Sequence, residues 1–260
     1  MIFERVICGV DATEESIDAA RQAARLTAPG GRLLLVAVAE LEVAAQAGFA
    51  ASMVAKELEE AARAALERAT EAISGLHPAE GRLLTGPVLA TLHAAILEES
   101  ASLVVLGTHG HGRGSGILLA RASTTVVHDA PCSALVARRP GGDAARFPSS
   151  IVVGLDGSPE GDAAAAAADE LAQRFGSRVR AIVATGGKGV DAAAILAGRP
   201  RAEIVPGKPL DALLEASGAA DLVAVGNRGL HGLKALGSVS ERLAHQARCS
   251  VLVVRRPQAT

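Results

Sequence analysis

Short apolar runs alternate with helix-forming segments along the whole chain. In the first half, the predicted strands are 4–11, 32–39, 83–85 and 101–107, with a closing strand inside 128–140, and the predicted helices are 13–27, 50–74 and 88–99. The strand at 32–39 is almost wholly apolar, as expected when both faces of a parallel sheet are covered. Strands that alternate with helices predict an α/β fold with a doubly wound parallel sheet and right-handed crossovers.

The chain contains an internal repeat. Glu4–Asp11 resembles Ser150–Asp156, since each is an apolar run that ends in aspartate and is followed by a polar turn. Two further pairs of segments match in the same order, namely Ala101–Gly110 with Ala220–Gly229 and His128–Pro140 with His245–Pro257. Matches in order at both ends predict two copies of one domain.

Pro140–Pro148 separates the two copies and carries prolines and glycines with little periodicity, which is typical of a linker. We therefore expect one domain at 1–140 and a second, shortened domain at 149–260. The second copy has predicted strands at 179–184 and 202–205, joined by the segment 185–200. Its middle helix is accordingly expected to be short or irregular.

The order of the strands decides where a ligand would bind. If the chain winds through three strands and returns to add the fourth beside the first, each five-stranded sheet has the order 3-2-1-4-5. Open α/β sheets bind ligands beyond the carboxyl ends of the strands, where the winding reverses. Asp11 would then be a neighbour of Gly107, and Asp156 a neighbour of Gly226. This convergence of an acid with a glycine loop is the main functional prediction.

The second glycine loop, 226–240, leads into a helix start at Gly237-Ser238. Glycine lets backbone approach a ligand closely, and the amides and positive end of a helix attract phosphate. Ser238 and Ser240 would add hydroxyl donors. Gly-x-x-Gly alone is weak evidence, because glycine is also the usual turn residue, but the predicted acid opposite favours a phosphate site.

Composition excludes several classes of partner. The chain has four Phe and no Trp or Tyr, so it provides no aromatic platform on which the bases of a single strand could stack. Its net charge of −2 does not provide the basic surface that binding to the phosphates of duplex nucleic acid requires. No apolar stretch approaches the roughly 20 residues needed to span a bilayer. Met1 is followed directly by a strand-like run without a targeting signal. We expect a cytoplasmic protein that binds neither nucleic acid nor membrane.

Rival chemistries have weaker support. Gly187-Lys188-Gly189 lacks the glycine spacing and the hydroxyl of a Walker loop, so fast ATP hydrolysis is not encoded visibly. His109 and His111 fit a nucleotidyl-transfer or metal motif, but polar loop contacts are favoured.

The His128/Cys132 and His245/Cys249 pairs have a spacing that metal ligands use, although structural histidines are favoured. The three cysteines, which include Cys8, are interpreted as buried small hydrophobes. No catalytic or metal-binding residue is therefore assigned.

The turn Asp156–Ser158, the Gly-x-x-Gly pair and the helix start Gly237–Val239 resemble the pattern of the universal stress protein family, and the repeat extends the resemblance over nearly the whole chain. The resemblance implies tandem Rossmann-like domains of the adenine nucleotide alpha hydrolase-like type. In the nucleotide-binding members this pattern binds ATP.

By this resemblance, Asp156, backbone near Gly154 and the strand end at Ala184 would contact adenosine. The ribose and phosphates would contact Gly226, Arg228, Gly229, Gly237, Ser238, Val239 and Ser240. The matching positions in the first copy are Asp11, Val38, Gly107 and Gly110.

Both copies depart from the pattern. In the second, seven residues instead of the family's nine separate Gly229 from Gly237. In the first, the spacing is kept but Ala120-Arg121 replaces Gly-Ser, and Ala12-Thr13 replaces Gly-Ser after Asp11. Arg121 could pair with phosphate itself. We expect the second domain to be the better nucleotide site.

Three functions remain open. The first is a stress-response regulator that binds ATP, ADP or AMP, with or without Mg²⁺. The second is an interaction module without ligand, in which the tandem copies pair inside one chain, as the family's single domains do by dimerising, or in which the chain forms a homodimer. The third is a slow nucleotide hydrolase or transferase, at most a weak ATPase.

Overall fold

The computed structural model describes residues 3–42, 50–108, 129–141, 143–186, 189–227 and 238–256. The chain divides into two compact units, Phe3–Pro131 and the residues from Cys132 onward. Each unit is an α/β layer in which helices connect parallel strands. Within the described ranges, no helix combines the length and the apolar character needed to cross a membrane.

The first unit contains four parallel strands in the order β3-β2-β1-β4. Its elements are β1 (Arg5–Gly9), α1 (Glu14–Leu26), β2 (Arg32–Ala39), α2 (Ala51–Ala72), β3 (Ala79–Thr85), α3 (Val88–Glu98) and β4 (Leu103–Gly107). The bounds of β2 match the apolar run that predicted it. Strand β3 begins earlier than predicted. Its first residues were not recognised as a strand because they are polar. Glu80 Oε2 lies 2.7 Å from Arg32 Nη2, and Arg82 Nη2 lies 2.9 Å from Glu99 Oε1.

Helix α1 begins and ends where its sequence predicts. Thr13 is the N-cap, and its hydroxyl accepts a hydrogen bond from Ser16 N at 3.2 Å. Ile17, Ala20 and Ala24 are buried against the sheet, which fixes the face that the helix presents to the core.

The second unit contains five parallel strands in the order β8-β7-β6-β9-β10, the predicted 3-2-1-4-5 order. Its elements are β5 (Ser133–Ala137), β6 (Ser150–Leu155), α4 (Pro159–Phe175), β7 (Arg178–Ala184), α5 (Ala192–Gly198), β8 (Glu203–Val205), α6 (Pro209–Ala216), β9 (Leu222–Gly226), α7 (Val239–Gln246) and β10 (Ser250–Val254). The predicted short middle helix is α5, which has seven residues.

Strand β5 departs from the expected pair of separate five-stranded sheets. It comes from the first copy but pairs antiparallel with β10, the closing strand of the second. Ser133 Oγ accepts from Arg255 N at 3.1 Å, and Ser250 Oγ accepts from Arg138 N at 3.0 Å. The two segments have nearly the same buried, apolar sequence, so each satisfies the backbone of the other in a reciprocal ladder.

The predicted linker 140–148 is partly structured. A short 3₁₀ helix spans Ala144–Arg146, and Phe147 beside it is only 1% exposed. This part of the predicted linker belongs to the unit that begins at Cys132, and the buried ring of Phe147 adds to the apolar area that the unit buries.

One buried carboxylate joins the starts of β6 and β9. Asp221 Oδ2 accepts hydrogen bonds from the backbone N of Ser149 at 2.8 Å and of Ser150 at 3.0 Å, and from both serine hydroxyls. Burial opposes the charge of Asp221, but the hydrogen bonds from Ser149 and Ser150 outweigh burial and lower the pKa of the carboxyl.

A second contact fixes the carboxyl end of each sheet. A Cβ added to Gly226, the last residue of β9, would lie 2.4 Å from the carbonyl carbon of Glu160 in the first turn of α4. A Cβ on Gly107, the last residue of β4, would lie 2.7 Å from the carbonyl oxygen of Glu15 in α1. Each glycine is needed for a strand end to touch helix backbone.

We expect Asp221→Asn to lower the free energy of unfolding at pH 7 by about 1–3 kcal/mol, because an amide replaces a charged acceptor of several hydrogen bonds. The folded-state pKa is lowered, so the carboxylate stabilises the fold at neutral pH. This contribution is lost as the pH falls below the ordinary aspartate value of about 4 and through the folded-state pKa. Urea unfolding at several pH values measures the difference.

The control for Asp221 is Asp162→Asn, which removes an exposed carboxylate from α4 and should change stability by less than about 0.5 kcal/mol. A difference between wild type and Asp221→Asn that stays constant on acidification would contradict the proposed origin of the stabilisation.

Gly226→Ala should destabilise the protein by about 1–3 kcal/mol, because the new methyl group overlaps backbone that cannot turn aside. The matched control is Gly198→Ala at the end of α5, where an added Cβ meets no atom within 4 Å. Denaturant unfolding compares the two variants. Equal stability of both would show that α4 can move away from β9.

Candidate functional site

The carboxyl edge of the second unit brings together three residues that the sequence singled out. Strands β6 and β9 pair Val153 with Ala224, so Asp156 lies one residue beyond the level of Gly226. Strands β6 and β7 pair Leu155 with Val183, so Asp156 is level with Ala184. The predicted adjacency of the strand-end acid and the glycine is therefore observed.

Asp156 shapes the turn between β6 and α4. Its Oδ1 accepts hydrogen bonds from Ser158 N at 3.0 Å and from Ser158 Oγ. Ser158 Oγ in turn accepts from Gly161 N at 3.1 Å and caps α4. Gly157 has φ +76°, a left-handed conformation that favours glycine. The Asp-Gly-Ser sequence is thus accounted for locally by the turn and the cap.

The first copy builds a similar turn with different residues. Asp11 Oδ1 accepts from Thr13 N at 2.9 Å, and Thr13 caps α1. Buried Ser16 adds two contacts, because its Oγ donates to Asp11 O at 2.8 Å and accepts from Asp11 N at 3.1 Å. Strands β1 and β2 pair Gly9 with Val36, which puts Val38 level with Asp11.

Gly154 has a packing role that the sequence did not reveal. A Cβ on Gly154 would lie 3.0 Å from Leu213 Cδ1 of α6 and 3.4 Å from Val225 Cγ1. The glycine therefore lets α6 lie close to the sheet, and a contact between its backbone and a ligand stays a prediction.

The helix start predicted to bind phosphate is the N-terminus of α7. Ser238 is its N-cap, with Oγ accepting from Glu241 N at 3.2 Å and lying 3.2 Å from Ser240 Oγ. Val239 is 38% exposed. Because α7 leads from β9 to the parallel strand β10, its N-terminus lies at the carboxyl edge of the sheet, with the strand-end acid.

Four predicted site residues lie outside the described residues. They are Gly110 in the first copy and Arg228, Gly229 and Gly237 in the second. Their roles stay predictions.

The charges at this edge are mixed. Glu160 lies in the first turn of α4 and Glu241 in the first turn of α7. Arg256 follows β10, and its Nη1 is 3.9 Å from Glu160 Oε1. Arg256 belongs to no motif that sequence analysis selected, because its position depends on the pairing of β10 with β9. A phosphate here would meet both a guanidinium and two carboxylates.

Two further side chains lie at these turns, although their residues belong to no sequence motif. Arg68 of α2 donates a hydrogen bond to Ala12 O in the turn after Asp11. Ile195 of α5 lies 3.5 Å from the place that a Cβ on Gly157, in the turn after Asp156, would occupy. Both come from the middle helices, where the two copies differ most in length and sequence.

The cysteines have the properties of structural residues. Burial, and to a lesser degree the charge of Asp11, raises the pKa of the Cys8 thiol. Burial raises the pKa of Cys249 to about 12 against the opposing effect of Arg138. Cys132 is only partly buried, unlike the other two. His245 is exposed, while His109, His111 and His128 lie outside the described residues.

The fold is shared with known proteins. A universal stress protein from Archaeoglobus fulgidus superposes with a TM-score of 0.74 at 21% identity, over 97% of this chain and 96% of that one. The cytoplasmic domain of a prokaryotic cation chloride cotransporter gives a TM-score of 0.57 at 12% identity, over 98% and 96% of the two chains. At these identities the likeness concerns the fold alone.

Sequence relatives are more specific. A universal stress protein of Mycobacterium tuberculosis is 32% identical over 191 residues, which cover 62% of this chain and 64% of the relative, so the match spans less than two thirds of that protein. One from Mycolicibacterium smegmatis is 29% identical over 285 residues and 96% of each chain. The model of the universal stress protein family matches residues 2–138 and 188–255. The chain therefore belongs to the universal stress protein family.

Proposed function

We propose that the protein is a cytoplasmic stress-response regulator that binds an adenine nucleotide at the carboxyl edge of its second unit. The observation that carries the proposal is the adjacency of Asp156, Gly226 and Ala184 at the strand ends. In open α/β sheets this position is where ligands bind. Asp156 would accept hydrogen bonds from the nucleoside, and the α7 N-terminus with Ser238 and Ser240 would hold phosphate.

The second copy is favoured over the first for two reasons. Its turn contains Gly157, which brings no side chain to the crevice, and its loop ends in Gly-Ser before α7. The first copy has Ala12 and Ala120-Arg121 at the matching positions. An added Cβ where backbone meets a ligand costs close contacts, so the first copy would bind nucleotide more weakly.

The charges at the edge bear on the form of the ligand. Glu160 and Glu241 oppose the charge of a phosphate chain, whereas Arg256 favours it. We infer that ATP or ADP would bind with Mg²⁺, and that AMP would depend less on the ion. A weak ATPase activity would accompany binding if bound ATP were hydrolysed slowly. The amount of ADP formed over time would measure this activity.

A second candidate function is an interaction module in which the two copies pair within the chain. The reciprocal ladder between β5 and β10 supports it, because the closing strand of one copy is hydrogen-bonded to that of the other. The fold itself does not separate the two functions. Under this proposal the two repeats are domains 1–140 and 149–260. A homodimer would use surfaces other than the paired edges of β5 and β10.

Asp156→Asn should raise the Kd for Mg-ATP about tenfold or more, because a charged acceptor contributes roughly 1.5–3 kcal/mol while the amide oxygen keeps the hydrogen bonds of the turn. Isothermal titration calorimetry measures the change. The matched control is Asp11→Asn in the first copy, expected to change the Kd by less than twofold.

A stronger perturbation is Gly237→Asp, which adds bulk and negative charge at the predicted phosphate position and should abolish binding. An effect of Asp11→Asn alone would move the site to the first copy. Failure of the wild type to bind ATP, ADP or AMP would leave the interaction module as the function.

A further inference from the structure

In each copy a side chain of the middle helix lies beside the residue that follows the strand-end aspartate, with opposite chemistry in the two copies. In the first, Arg68 Nη1 donates to Ala12 O at 3.0 Å, and its Nη2 pairs with Glu14 Oε1 at 2.5 Å. In the second, Ile195 Cγ1 and Cδ1 lie 3.5 and 3.6 Å from the place of a Cβ on Gly157. One turn is bordered by an ion pair and the other by an aliphatic side chain.

Ile195 is held in place from both ends of α5. Asp191 caps the helix, and its Oδ1 accepts from the backbone N of Ala193 and of Ala194, both at 3.1 Å. After the helix, Arg199 Nη2 lies 2.9 Å from Asp169 Oδ2 on α4. The half-buried Ile195 side chain therefore has a fixed position beside Gly157, the residue that follows Asp156.

We propose that Ile195 is a specificity-determining residue of the second-copy site and forms the apolar wall on which the nucleoside part of the ligand packs. The inference rests on the proposed function. Gly157 offers no side chain, so nothing at that position covers the half-buried aliphatic side chain of Ile195. An uncharged base or ribose face fits such a surface, whereas a phosphate would lose hydration there without gaining a partner.

The ion pair between Arg68 and Glu14 makes the turn in the first copy less favourable for a nucleoside. Arg68 and Glu14 are 47% and 61% exposed, so both are hydrated in the absence of a ligand. A nucleoside at this turn would have to displace that water and would gain little apolar contact. Ile195 and Arg68 thus add a third reason, independent of the glycine loops, for the copies to differ in affinity.

The test is a series of ligands against a small set of variants of the full chain. Ile195→Ala should raise the Kd for adenosine, AMP and ATP by a similar factor, about fivefold to twentyfold, because the lost contact involves only the part these ligands share. Ile195→Leu keeps an aliphatic side chain and should stay within about threefold of wild type. Leu196→Ala, on the same helix, is the matched truncation and should leave the Kd unchanged.

Thermal unfolding of each variant, with the ligand absent, checks that α5 is retained. If Ile195→Ala lowers the unfolding midpoint more than Leu196→Ala does, the affinities of Ile195→Leu and Ile195→Val test the inference instead. Affinity is expected to follow the size of the aliphatic side chain.

Three outcomes would overturn the inference. Wild-type affinity in Ile195→Ala would do so while leaving nucleotide binding intact. A loss that grows with the number of phosphates would assign the residue to the phosphate end instead. A wild-type chain that binds none of the three ligands would remove the proposed function together with the inference.

Discussion

The candidate site depends on one close contact, between the glycine that ends the fourth strand of a copy and the backbone of the first helical turn. In the second unit, Gly226 lies so close to Glu160 that no side chain fits between them. This contact brings the N-terminus of α4 to the end of β9 and the turn at Asp156 with it. The positive end of the helix is thereby directed to the same edge at which the strands end.

Small residues extend the same principle into the core. Ala164, Ala165 and Ala168 on α4 are fully buried and keep the helix close to the sheet. Gly154 does the same for α6, which packs Leu213 over the strand. The small side chains at these positions therefore let the helices of the second unit pack close to the sheet. The cost is that few of these positions tolerate an added methyl group.

The parts of the fold that the sequence predicted are those whose signals are local. Strand β2 is buried on both faces, so its apolar run has the length of the strand. Strand β3 was predicted too short because Glu80 and Arg82 form ion pairs instead of facing the core. The antiparallel partner of β5 could not be predicted, because a strand's own residues do not specify which of two similar strands it joins.

The same distinction holds at the site. The adjacency of Asp156 and Gly226 follows from strand order, which the repeat and the alternation of elements predict. Arg68 and Ile195 were missed because each lies near its turn through a contact that is distant in sequence. Ser16 was missed because its local hydrogen bonds to Asp11 belong to no motif. The packing role of Gly226 was also missed. The sequence shows only that the residue is glycine, and does not distinguish a glycine required by a neighbouring helix from one required by a ligand.

The pairing of β5 with β10 separates the unit of duplication from the unit of folding. The repeat in the sequence ends after β5, but the hydrogen bonds of β5 with β10 belong to the sheet of the second copy. A gene fragment encoding only the second repeat would leave the outer edge of β10 without that strand and expose a buried and mostly apolar strand. Such edges recruit other chains. Because β10 pairs with a strand that the first repeat encodes, deletion of the first repeat would create an aggregation hazard. This favours keeping the tandem arrangement even where the first copy departs from the binding pattern.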